Sequence, residues 1–249
     1  QFINSADFEA FVTGLTNLTG GLNLSGMSDS NTFFLKTGQI DLGTNKNIYN
    51  KSGNFTLQVA DGDLNLATVT NESDAARLSL SASGTLSASY IFDQAVANSS
   101  DVKTMDISAN TISLSDSNVS DTVLQVGSGA NVSITATGTL AANGAVSNTG
   151  KLLLGGNVVN TGVISNTGSL IVKGGLTDGS VTVNEIANNL GNVSLGAKNV
   201  TVTNNLTNAD NAGVFDIAAI GMVSVGDVDV LGGVVSVNAN SVGADNNNG

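Results

Sequence analysis

The chain has 249 residues and a formal net charge of −12, so nucleic acid and anionic membrane surfaces are poor candidate partners. It contains no His and no Cys, which excludes histidine bases, cysteine nucleophiles, disulfides and the usual zinc sites. With 41% hydrophobic residues and a mean hydropathy of +0.18 it is too apolar for a disordered chain, and we expect a buried aliphatic core.

Residues 1–14 combine helix signals with aromatic side chains. An acidic first turn and Gly14 near the end are start and stop signals for a short helix, which we predict here. Phe2, Phe8 and Phe11 all lie in this segment. We expect the segment either to cap the open end of a sheet or to insert into a neighbouring chain, because an uncovered strand edge invites association. An apolar boundary without either role is the alternative.

From residue 15 to residue 249, short apolar stretches alternate with Gly or Asn turns. NFTLQVADGDLNLATVT and NVSITATGTLAANG are two examples. Short β-branched and aliphatic residues favour strands, Asn and Gly favour turns, and the strong helix formers are scarce. The pattern predicts an all-β rod over residues 15–249.

A repeat distinguishes a solenoid from a sandwich or barrel. NTGKLLLGGNVVNTGVIS begins at Asn148 and aligns with NTGSLIVKGGLTDGSVTV, which begins at Asn166, so the offset is 18 residues. Repeats of this length predict a single-stranded parallel β-helix, with roughly 18 to 22 residues per coil, about a dozen coils and a length of about 60 Å. We expect Asn and Gly to adopt the left-handed conformation at corners, and stacked Asn side chains to hydrogen-bond along the axis.

Residues 90–104 interrupt the strand rhythm. We predict that they leave the rod as an excursion, which makes them the first place to look for a loop that faces a partner. The alternative is an insertion without a role.

Two acidic pairs are the candidate metal ligands. Asp61 with Asp63, and Asp227 with Asp229, each place two carboxylates on one side of a strand or turn, where their oxygens could hold Ca²⁺. The calcium-binding nonapeptide GGxGxDxUx does not occur in the chain. We favour an acidic surface without a metal, and we expect no cofactor.

The stretches NTGKLLLGG, VVNTGVISNTGSLIV and GNVSLGAKNVTVTNNLTN resemble the degenerate repeats of filamentous-haemagglutinin-like exoproteins and autotransporter passengers. The resemblance extends over residues 105–245. It implies a right-handed β-helix that a Gram-negative bacterium secretes. The secretion domain of that family carries an Asn-Pro signature, which a chain without Pro cannot contain, so the resemblance implies a central part of such a passenger.

These observations predict a non-enzymatic adhesin or exoprotein segment at the bacterial cell surface. It would serve as a rigid stalk for attachment to host or neighbouring-cell surface molecules or glycans. The alternative is a subunit of an extracellular filament or sheath that stacks end to end. A polysaccharide lyase, which by resemblance would use calcium and an Arg or Lys base, is a third reading, and the one arginine is Arg77. No run approaches the roughly 20 apolar residues of a membrane span, so we predict no membrane insertion by this segment.

Overall fold

The computed structural model of the chain describes residues 2–3, 7–18, 22–23, 28, 30–43, 46–72, 76–96, 102–116, 121–209 and 213–244. Its regular structure in these ranges consists of β-strands alone. In chain order, the strands are β1 (Phe2–Ile3), β2 (Phe8–Asn17), β3 (Leu22–Asn23), β4 (Thr32–Asp41), β5 (Ile48–Asn50), β6 (Asn54–Val59), β7 (Leu64–Asn65), β8 (Thr68–Asn71), β9 (Arg77–Ala82), β10 (Thr85–Ala88), β11 (Tyr90–Asp93), β12 (Met105–Ala109), β13 (Thr111–Leu114), β14 (Thr122–Val126), β15 (Asn131–Ala136), β16 (Thr139–Ala142), β17 (Ala145–Asn148), β18 (Lys151–Gly155), β19 (Val158–Asn166), β20 (Ser169–Lys173), β21 (Ser180–Asn188), β22 (Asn192–Ala197), β23 (Asn199–Val202), β24 (Leu206–Asn208), β25 (Val214–Ala219), β26 (Met222–Val225), β27 (Val228–Val230), β28 (Val234–Asn238) and β29 (Ser241–Ala244).

The strands stack in parallel as a β-solenoid of about ten turns, which confirms the predicted fold class. Face A contains β2, β4, β6, β9, β12, β15, β18, β20, β22, β25 and β28. Face B contains β7, β10, β13, β16, the first halves of β19 and β21, β23, β26 and β29. Face C contains β1, β3, β5, β8, β11, β14, β17, the second halves of β19 and β21, β24 and β27. At about 4.8 Å per strand, the eleven strands of face A span about 48 Å, somewhat less than the expected length.

The core consists of ladders in which each inward side chain stacks on its counterpart in the next coil. One ladder of face A contains Phe8, Phe33, Phe55, Leu78, Met105, Val132, Leu152, Leu170, Val193, Phe215 and Val235. The rings of Phe33 and Phe55 are stacked, with centroids 5.0 Å apart. Burying each large apolar side chain contributes about 1.5–3 kcal/mol, so the ladders hold the coils together.

The predicted 18-residue repeat is confirmed as one coil. Leu152 lies opposite Leu170 and Leu154 opposite Val172 in the parallel pairing of β18 with β20. Leu170 and Val172 point into the core, whereas Ile171 faces outwards and is partly exposed. Other coils are longer, because the corners accept insertions while the strands keep their register.

The predicted helix in residues 1–14 is wrong. Phe8–Asn17 forms strand β2, which pairs in parallel with β4, and Gly14 lies where that pairing changes register. Phe8 stacks on Phe33 with ring centroids 4.9 Å apart, and Ala10 lies opposite Leu35. This pairing satisfies backbone groups and buries apolar surface together, so it outweighs the local helix signals. Residues 1 and 4–6 lie outside the described part of the chain.

The predicted left-handed asparagines are also wrong for the described residues, in which positive φ angles occur only at glycines. The predicted excursion at residues 90–104 begins in a strand, because Tyr90–Asp93 is β11 of face C, and Thr104 near its end is buried. Residues 97–101 lie outside the described part of the chain, so the loop itself stays a prediction.

Candidate functional site

A column of buried polar side chains runs along the corner where face C ends. Asn148, Asn166, Asn188 and Asn208 occupy successive coils and are fully buried. Each side-chain Nδ2 donates to the Oδ1 of the next, at 2.7, 2.9 and 2.8 Å. Each Nδ2 also donates to a backbone carbonyl near the corner, as Asn188 does to Gly191 at 2.7 Å. The predicted Asn stacking is therefore present, and it adds side-chain hydrogen bonds between successive coils at the ends of the face C strands.

Glycines next to this column let consecutive corners approach closely. A Cβ atom on Gly168 would lie 2.0 Å from the carbonyl oxygen of Gly150, and one on Gly150 would lie 2.4 Å from that of Gly127. The NTG words at Asn148 and Asn166 thus have a structural meaning: a buried Asn turns the chain, and a Gly permits contact with the corner below. The NTG at Asn160 differs, because Asn160 lies within strand β19 and is partly exposed.

Asp93 lies at the same register position, after Asn50 and Asn71 of the two preceding coils, and Val126 separates it from Asn148. It is fully buried, and its carboxylate accepts hydrogen bonds from Asn71 Nδ2 (3.0 Å), the backbone N of Ala95 (2.9 Å) and Thr104 Oγ1 (2.5 Å). Burial raises the pKa of Asp93 to about 6, although these hydrogen bonds and the charge of Arg77 favour the ionised form. The sequence reasoning missed Asp93. The repeat register could have found it, since Asp93 occupies the position of Asn148 two coils further on.

Phe2, Phe8 and Phe11, which we predict for capping or self-association, lie in strands β1 and β2. Phe8 points into the rod as the first described member of its ladder. Phe11 points outwards, is 67% exposed, and contacts Phe34 with ring centroids 5.3 Å apart. Phe2 belongs to β1, which pairs with β3. Phe8 and Phe11 therefore do not form one surface, and the capping role stays a prediction.

The two acidic pairs lie at the surface. Asp61 and Asp63 flank Gly62 at a corner, where a carboxylate oxygen of Asp63 accepts a hydrogen bond from the backbone N of Thr85 at 2.6 Å. Asp227 and Asp229 are exposed on either side of Val228. In the ranges that the structure describes, no three carboxylates, histidines or cysteines come together as a metal cluster. Within each pair the two carboxylates are close because they are two residues apart in the sequence, and among the described residues the fold adds no third ligand residue. Calcium binding remains a hypothesis.

The last described coil exposes side chains that belong to the core pattern. Val237 lies opposite buried Ile217, and Val242 lies opposite buried Val223, yet Val242 is 64% exposed. Strands β27, β28 and β29 each pair on one side only among the described strands. This end of the described rod therefore presents both unpaired backbone groups and an apolar surface.

Comparison with known proteins gives no family for this chain. No family model, no curated protein and no solved structure matches it. The resemblance to exoproteins therefore rests on the repeat words, whereas the β-solenoid fold rests on the structure. The part of the chain that the structure describes has no helix suited to crossing a bilayer.

Proposed function

We propose that this chain is part of a secreted bacterial surface protein, in which the β-solenoid serves as a rigid stalk for attachment and catalyses no reaction. The observation that carries the proposal is the unbroken stacking of face A from β2 to β28, with a continuous apolar ladder inside. Such a rod resists bending because each coil is hydrogen-bonded and packed along its whole length. Its surface consists of short polar side chains and the chain carries a net charge of −12, so rods repel one another and non-specific association is limited.

Surface display tests the attachment function. The chain is displayed on a non-adherent Gram-negative bacterium, and adherence to epithelial cells and to neighbouring bacteria is counted against bacteria that carry the display anchor alone. The matched control is Leu80→Asp, which places a charge on a fully buried ladder position and disrupts the stalk. We expect adherence with the native chain and not with the variant. Adherence equal to that of the anchor alone contradicts the proposal.

The absence of catalysis is tested separately. A polysaccharide lyase would release unsaturated products from polygalacturonate, and its activity would disappear with a chelator and with Arg77→Ala. We expect no unsaturated product with the native chain. Activity that Arg77→Ala abolishes would favour the lyase.

A filament subunit is the second candidate, because β27, β28 and β29 expose apolar side chains and, among the described strands, each pairs on one side only. A second copy could continue the parallel stack there. Sedimentation velocity and electron microscopy at rising concentration would then show end-to-end polymers. Val237→Asp with Val242→Asp should abolish them, whereas Val163→Asp, an outward position on face C, should not. A chain that remains monomeric at all concentrations contradicts this candidate.

A further inference from the structure

Outward-facing aromatic side chains are rare on this rod, and three of them lie together on face C. Tyr49 belongs to β5, and Tyr90 and Phe92 belong to β11. Their strand neighbours Ile48 and Ile91 point into the core and are buried, so the three rings face outwards and are partly exposed. The whole chain has only eight Phe and two Tyr, and the core ladders use several of these.

The three rings form a row along the rod. Tyr49 lies opposite Thr70, and Thr70 lies opposite Phe92, so Tyr49 and Phe92 are two coils apart, about 10 Å. Tyr90 lies beside Phe92 on the same strand, with ring centroids 6.1 Å apart and planes inclined by 21°. A ligand that follows the rod axis can therefore contact Tyr49 at one end and the Tyr90–Phe92 pair at the other.

Hydrogen bonds to the next coil hold both tyrosines in place. The hydroxyl of Tyr90 donates to Gln125 Oε1 at 2.8 Å, and the hydroxyl of Tyr49 donates to Glu72 Oε2. Each ring therefore leans along the rod axis across the neighbouring coil. The bond to Glu72, with burial, raises the pKa of Tyr49 to about 12. Rings fixed in this way lose little entropy when a ligand binds.

The side chains around the rings indicate the chemistry of the ligand. Thr68, Thr70 and Gln125 offer hydroxyl and amide groups, which can bind sugar hydroxyls. Aromatic faces carry a negative potential and attract the C–H groups of a sugar ring. Strands β5, β8, β11 and β14 contain no Lys or Arg, although the exposed Lys46 and Lys51 flank β5. Glu72 lies beside the rings and the chain has a net charge of −12, so anionic glycans are disfavoured.

We propose that face C between Tyr49 and Gln125 binds a neutral polysaccharide chain along the rod axis, with sugar rings stacked on Tyr49, Tyr90 and Phe92. This inference rests on the proposed attachment function and assigns it a contact surface and a ligand class.

Intrinsic fluorescence tests the proposal directly, since the chain has no Trp and both of its tyrosines lie in this row. The full chain is titrated with cellohexaose, xylohexaose and laminarihexaose, and with a heparin hexasaccharide as the charged counterpart. We expect a saturable change in tyrosine emission with at least one neutral oligosaccharide and none with heparin. No change with any neutral oligosaccharide, or an equal response to heparin, overturns the proposal.

Two sets of variants locate the binding surface by calorimetric titration. Tyr90→Ala with Phe92→Ala should weaken binding by about tenfold or more, because two ring contacts are lost. Phe11→Ala with Phe34→Ala removes the outward aromatic pair on face A and should leave affinity unchanged.

A second pair of variants is used if Tyr90→Ala with Phe92→Ala alters the thermal unfolding curve. Thr70→Glu places a charge between the rings and should abolish binding. Ser165→Glu, in the same outward column four coils away, should not. Equal losses in the test and control variants overturn the proposal.

The outcome is separable from that of the attachment function. If bacteria that display the chain adhere although the chain binds no neutral glycan, the glycan-binding proposal is overturned and the stalk proposal still stands. Glycan binding without adherence contradicts the attachment function and leaves this surface intact.

Discussion

Replacing Asp93 with Asn should stabilise the rod at neutral pH. The Asp93 carboxyl group is fully buried in a column whose other polar members are asparagines, and burial raises its pKa from 3.8 to about 6. In the unfolded chain the group ionises at its ordinary pKa of about 3.9. The ionised form is thus less favourable inside the rod than in water.

The sign of the pH dependence follows from proton binding. Between about pH 4 and pH 6 the folded chain still holds a proton that the unfolded chain has released, so the free energy of unfolding falls as the pH rises through this window. A shift of about two pKa units corresponds to a loss of about 3 kcal/mol at pH 7.5. About 1.4 kcal/mol of that loss develops between pH 5.0 and pH 7.5.

An amide at position 93 would keep the acceptor for Asn71 Nδ2 and the backbone N of Ala95, and would add a donor towards Thr104 Oγ1. The one proton of the Thr104 hydroxyl can then be donated to the carbonyl of Asn131, whose oxygen lies 3.1 Å from Oγ1. Asp93→Asn should therefore raise the free energy of unfolding at pH 7.5 by up to about 3 kcal/mol and flatten its pH dependence.

Urea unfolding followed by circular dichroism at pH 5.0, 6.0 and 7.5 measures both effects. The control is Asp229→Asn at an exposed position, which should leave the pH profile unchanged. A variant that is less stable than the native chain at pH 7.5, or a pH profile that is the same with and without Asp93, would refute the reasoning.

Three further substitutions test the close approach of the corners, the Asn column and the Phe ladder, and each is measured by urea unfolding. Gly168→Ala should cost about 1–3 kcal/mol or more, because its Cβ atom would lie 2.0 Å from the carbonyl oxygen of Gly150. In the control Gly196→Ala, the new Cβ atom meets no atom closer than 3.9 Å, so the substitution should be nearly neutral. Equal effects would contradict the corner geometry. Asn166→Ala should cost about 3 kcal/mol, because Asn148 Nδ2 loses its acceptor on Asn166 and Asn188 Oδ1 loses its donor from Asn166, both inside the buried column. The exposed Asn204→Ala should change stability by less than about 0.5 kcal/mol, and a neutral Asn166→Ala would disprove the ladder's role. Phe33→Ala should cost about 3–5 kcal/mol by removing the middle ring of the Phe8–Phe33–Phe55 stack, and a loss below about 1 kcal/mol would argue against that stack.

The sequence predicted the coil but not every local conformation within it. The match of Leu152 with Leu170 gave the register, because stacked coils require like side chains at equal positions. The local signals around Phe8 and Phe11 predict a helix, because they carry no information on strand β4, which pairs with this segment. Strand pairing between distant residues is what short-range propensity cannot report.

The candidate surfaces were less predictable than the fold. Tyr49 and Phe92 are 43 residues apart in the sequence, and only the coil lengths between them, which vary, bring the two rings into one column. Asp93 reads as an ordinary polar residue until the register aligns it with Asn71. Both features therefore depend on the lengths of the corners, which the repeat words do not specify.

Distances between spin labels test the rigid-stalk account most directly. The chain has no Cys, so pairs of introduced cysteines can be labelled without background. Ser79→Cys with Ser194→Cys spans five coil steps on the outside of face A, and Ser79→Cys with Ser236→Cys spans seven. At about 4.8 Å per step, we expect narrow distance distributions centred near about 24 Å and about 34 Å. Broad distributions, or a second distance no longer than the first, would contradict a rigid rod.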